Sequence, residues 1–132
     1  MDIAFIIGRI LFAFLFVGSG IGHLAKAEAM AGYAKYKGVP AAKAAVIVSG
    51  LMILAGGISV ALGIYPVIGS WLLVIFLIPT AVLMHAFWKE SDPQAKMTEQ
   101  VAFNKDIALA GAALALAYVF ATVSNLPLII AG

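Results

Sequence analysis

The stretch His85–Asp106, HAFWKESDPQAKMTEQVAFNKD, is the reading on which the fold turns. It is one of two places where an otherwise oily chain stays polar long enough to meet water. It gathers charges, a proline, an aromatic pair and one of the two histidines. On either side the chain is apolar for roughly the 20 residues a membrane helix needs. Working outward from it gives four spans, at about residues 3–24, 44–62, 67–87 and 105–125, within a single domain covering residues 1–132. The expected architecture is all-α: an integral membrane four-helix bundle with two polar loops and both termini on one side.

Composition excludes the alternatives. Hydrophobic residues make up 64% of the 132, charged residues 11%, and mean hydropathy is +1.12. A soluble domain carries about 25% charged residues, so this chain could not cover a water-facing surface. The net charge is +2, but the basic residues stand singly between apolar runs and form no stripe for nucleic acid. The absence of cysteine excludes disulfides, thiolate metal sites, cysteine-ligated iron–sulfur clusters and thiol redox chemistry carried by this chain. No metal site is expected. The first span reads as a retained helix, since Met1-Asp2-Ile3 lacks a positive n-region and Arg9 interrupts the apolar run.

The other polar segment is Ala25–Lys43. Met30, Tyr33, Ala34 and Lys37 recur there at helical spacing, and Gly38 with Pro40 forms a stop, predicting a short helix along the membrane surface. In the second loop, Ser91 or Asp92 can cap a helix whose first residue is Pro93. Seven of the eight lysines and arginines fall in these two segments. The positive-inside rule therefore puts both loops in the cytoplasm and both termini outside. Gly18 and Gly22, four apart, predict close helix packing inside the protein, with a homo-oligomer through such glycine-rich faces as the sharper reading. Gly50, Gly56 and Gly57 thin the second span, and Pro79 predicts a kink in the third.

Three groups of residues can carry chemistry. Arg9 lies about 9 Å into its span at 1.5 Å per residue. It either snorkels to headgroups or faces inward, solvated by Ser59, Ser70 and Thr122 at similar depth and Tyr118 deeper. His23 and His85 reach the same membrane end on different helices. That arrangement would suit a bis-imidazole haem, though two interfacial histidines bonded to the loops are the simpler account. Phe87 and Trp88 read first as interfacial anchors. As a site they would form an apolar slot beside His85 for a quinone ring, with Asn104 or Asp106 supplying polar contacts. No hydrolytic triad or phosphate-binding glycine loop is present.

Taken together, Arg9 with FLFVGSGIGHL, then YKGVP at 36–40, SGLMILAGG running into LGIYP, HAFW, and FNKDIALAGAAL resemble the pattern of the DoxX family of small four-helix bacterial membrane proteins. The resemblance implies a place in a bacterial plasma (inner) membrane, and kinship with the DoxD-like subunit of thiosulfate:quinone oxidoreductase and with complexes handling sulfur or oxidative stress. It implies a redox-associated subunit that binds quinone or anchors a soluble oxidoreductase, with no complete enzyme in this chain. Met52-Ile53-Leu54 stands where some relatives carry an acid, and Lys105-Asp106 where Lys-Asn is frequent. Two other readings stay open: an accessory or structural subunit of a larger membrane complex, and a protein that binds or transports a lipid or small solute. The expected partners are the bilayer and a membrane or cytoplasmic protein, and transport would need an oligomer of this chain.

Overall fold

The computed structural model describes residues 1–132. Four helices are long and apolar enough to cross a membrane. They are α1 (Asp2–Ala25), α3 (Ala42–Leu62), α4 (Pro66–Met84) and α5 (Pro93–Thr122); a short α2 (Ala27–Tyr36) follows α1, and a 3-10 turn at Phe87–Lys89 follows α4. Each boundary has a local cause. Gly63 closes α3 in the left-handed conformation (φ 69°), and Pro66 at the first turn of α4 gives up an amide that would be unpaired there anyway. Asp92 caps α5 by accepting from the Ala95 amide at 2.9 Å. Gly38 turns the chain out of α2 at φ 89°.

The long helices pack in the order α1, α3, α4, α5, with α2 laid against α3. Phe16 of α1, Ile53 and Val60 of α3, Leu73 and Leu77 of α4, and Ala110 and Ala113 of α5 share one core. A second, smaller cluster of Ala31, Ala34 and Val46 seats α2. Only 26 of 132 residues are buried, and the outward side chains include Leu11 and Phe14, the latter 78% exposed. An apolar exterior of this extent needs lipid to cover it.

Two expectations are corrected. Gly18 and Gly22 face open space, whereas Gly20 meets α3, with the Gly50 carbonyl 2.9 Å from where its Cβ would stand. Small residues occur on every side of α1 here, so spacing alone did not identify the packed face. The helix expected to begin at Pro93 is present, and it runs on unbroken into the span placed near Lys105. No glycine or proline follows Pro93 before the apolar run, and the change of polarity at Lys105 marks a change of surroundings without breaking the helix. In the other direction α4 ends at Met84, short of Phe87, and His85 leaves the helix at φ −122°.

Candidate functional site

Arg9 is the most buried charge, 1% exposed. Its Nε donates to the Val60 carbonyl at 2.9 Å, one terminal nitrogen to Pro127 O at 2.6 Å, and the other to Leu128 O at 2.8 Å and Ala61 O at 3.2 Å. Phe5 and Phe120 flank the guanidinium at 5.4 and 5.3 Å. The carbonyls at the end of α3 lack helical partners, and Arg9 supplies their donors while tying down the C-terminal segment. That segment also bonds to the α3–α4 turn through Ile130 N, Ala131 N and Ala131 O. The inward reading of Arg9 holds, with solvation by main chain. Of the side chains proposed to surround it, none does. Ser59 donates to Ile64 and Tyr65 carbonyls, Ser70 to Pro66 O, and Thr122 to Tyr118 O, while Tyr118 is exposed. Four of the five guanidinium N–H groups are thus directed at main-chain carbonyls.

At the other end of the bundle lies a cavity of about 670 Å³ between α1, α2, α3 and α4, reaching the start of the α5 membrane run. Its volume falls in the range of about 300–1,000 Å³ typical of small-molecule pockets. The walls are mostly apolar, among them Phe16, Met30, Val46, Phe76 and Met84, and both histidines and Asp106 line it. Leu15, Val48, Ile75 and Leu83 at its rim are exposed on faces that lipid covers. An apolar ligand can enter sideways from the bilayer. Pro79 also lines it and has no N–H to give the Ile75 carbonyl one turn earlier.

The two histidines have different surroundings. His23 is buried, with Nδ1 at 3.2 Å from both Val46 O and Ser49 Oγ. His85 lies between carboxylates, Nδ1 at 2.9 Å from Glu99 and Nε2 at 3.5 Å from Asp106. Both ring nitrogens of His85 thus face carboxylate oxygens. Neutral imidazole has one N–H, so satisfying both carboxylates takes a second proton, either on Nε2 or on the Asp106 oxygen facing it. The charges continue outward through Lys37, 3.7 Å from Glu99 and 3.4 Å from Glu90. Burial alone would lower the Lys37 pKa, but Tyr33, Glu99 and Glu90 together hold it above the ordinary lysine value. Lys37 thus stays charged and pins α2 to the second loop. Lys43 and Glu28 make a further, exposed pair.

The aromatic pair does not line the cavity. Phe87 and Trp88 pack edge-on against Phe103, at 5.3 and 5.7 Å, and fasten the 3-10 turn to α5. Asn104 lies on the exposed side of α5, away from the cavity lining. Sequence reading missed Ser49, Phe76 and Thr80 as wall residues. Pro79-Thr80 was the one available signal, since a proline in a span leaves polar backbone that needs a partner.

Neither the curated proteins nor the solved structures gave a match to this chain. The DoxX family model matches residues 4–86, more than half of its length, from the start of α1 through His85 and Ala86. With four helices able to cross a membrane and a match of that extent, the chain belongs to the DoxX family and is a multi-pass membrane protein.

Proposed function

We propose that this chain is a quinone-binding membrane subunit serving a redox partner, with no complete catalytic set of its own. The observation that carries the reading is the apolar cavity open to lipid, with His23 and the His85–Asp106 pair in its wall. A quinone is an apolar ring and tail bearing two polar oxygens, which matches a mostly apolar pocket with a few placed polar groups. The carboxylate–imidazole–carboxylate row can hold or pass a proton beside such a ring, as quinone chemistry requires. The glycines left open on α1, Gly18 and Gly22, favour a contact with a neighbouring membrane helix, which fits a subunit role.

Binding is the first test. Short-tail decylubiquinone titrated into the protein in lipid nanodiscs should bind saturably, and Thr80→Trp, which fills the cavity, should weaken it at least tenfold, about 1.4 kcal/mol. Equal uptake by both proteins and by empty nanodiscs would overturn the proposal.

We further propose that the loop end faces the cytoplasm, on the lysine asymmetry. The lack of cysteine makes single-cysteine labelling clean. In spheroplasts a membrane-impermeant maleimide should label Gly132→Cys and spare Lys35→Cys. The reverse pattern would invert the topology.

A further inference from the structure

We infer that the cavity selects the reduced, dihydroxy form of a quinone over the oxidised form, because the polar atoms it offers for discrimination are acceptors. The inference rests on the quinone reading and sharpens it to a redox state.

The first acceptor is on His23. The Val46 carbonyl can only accept, so its contact with Nδ1 puts the proton of the neutral ring on that nitrogen. Ser49 spends its own hydroxyl proton on the same carbonyl, at 3.1 Å. Nε2 then carries a lone pair and has no protein partner. No carboxylate lies within ion-pair distance of this ring, in contrast to His85. The second acceptor is on Asp106. Its Oδ2 faces His85 Nε2, and whichever of those two atoms holds the proton, Oδ1 remains an acceptor without a protein donor. No buried side-chain nitrogen or oxygen in the protein lacks a partner. Nε2 of His23 and Oδ1 of Asp106 therefore border accessible space, and both residues line the cavity.

The donors are spent or indifferent. Lys37 is held by Glu90 and Glu99. Lys26 and Lys105 are exposed, with ammonium groups that prefer headgroup water. The hydroxyls of Ser19, Tyr33 and Thr80, which also line the cavity, can donate or accept and serve either form. Discrimination falls to His23 and Asp106. A quinol places an O–H on each; a quinone carbonyl placed there sets acceptor against acceptor, and both lose their hydrogen bonds to water without replacement. Sites built to bond a hydroxyl reject analogues that lack it far more strongly than an apolar pocket rejects a methylene.

The test compares decylubiquinol, kept reduced under anaerobic conditions, with decylubiquinone on the same nanodisc-embedded full chain. The reduced form should bind at least tenfold tighter, which for a two-electron couple raises the potential of the bound pair by about 30 mV. Asp106→Asn replaces an acceptor-only group with an amide that can also donate, so it should narrow the preference by improving quinone binding. His23→Gln should act in the same direction at the other acceptor and gives a second reading should either variant fold poorly. Equal affinities for the two forms, or tighter binding of the oxidised one by the native chain, would overturn the inference and leave the quinone site standing. Binding of neither form would remove both.

Discussion

Arg9→Leu should lower the stability of the folded protein by roughly 3 kcal/mol or more, the cost of stranding several buried carbonyls. The side chain is all but fully buried and serves carbonyls of Val60, Ala61, Pro127 and Leu128. Leucine leaves all of them in an apolar setting with no water to replace the donor. The two flanking phenyl rings lose their cation as well. Because these bonds hold the C-terminal segment to the α3–α4 turn, the defect should show first there. Amide exchange at Ile130 and Ala131, both of which donate to the Gly63 carbonyl, should speed up before the helices are affected. Arg9→Lys should recover only part of the loss, since an ammonium lacks the planar fork that reaches carbonyls from two segments at once. Circular dichroism melting in mild detergent is the readout. A native melting temperature for Arg9→Leu, with native exchange at Ala131, would refute the clasp.

The second large effect is expected at Gly50. A Cβ there would stand 2.6 Å from the His23 Cβ, the stem of a side chain that cannot swing its first carbon aside. Gly50→Ala should therefore push α1 from α3, costing about 1–3 kcal/mol as overpacked cores do. It should also displace His23 and weaken quinone binding more than stability alone explains. The comparison is Gly18→Ala on the same helix pair, where nothing lies within 4 Å. That change should leave melting unaltered or raise it slightly through helix propensity. If Gly50→Ala behaves like Gly18→Ala in both melting and binding, the packing of α1 on α3 has been misassigned.

These two residues also mark how far the sequence could be read. Both were conspicuous along the chain: Arg9 as a lone charge in an apolar run, Gly50 as a break in a bulky helix. Their partners were not. The carbonyls that hold Arg9 come from 51 to 119 positions away, and main-chain acceptors leave no trace in residue type. Polar side chains at matching depth, Ser59, Ser70, Thr122 and Tyr118, were the natural expectation, yet each serine or threonine hydroxyl bonds a carbonyl close by in its own chain segment. The site divides in the same way. His23, His85 and Asp106 were legible as rare polar groups at one end of the spans and do line one cavity. Phe87 and Trp88, chosen for being next to His85 in sequence, fold back on Phe103 instead. Glu99, which bonds His85, and Lys37, which pairs with Glu99 behind it, were not singled out as site residues.

Hydrophobic run length and turn residues are local properties of the chain, and they were enough to determine four spans, the short helix between the first two and the capped start of α5. A run of apolar residues crosses a bilayer whatever it packs against, because its own backbone hydrogen bonds are satisfied within it. The rotation of each helix about its axis is a different matter. It settles whether Gly20 or Gly18 meets α3, and whether His85 meets Glu99 and Asp106 or the aromatic pair. That rotation follows from the fit of many side chains across helices far apart in sequence, a choice made jointly by the packed core. Only the tertiary structure decided it, and with it the cavity on which the function proposed here depends.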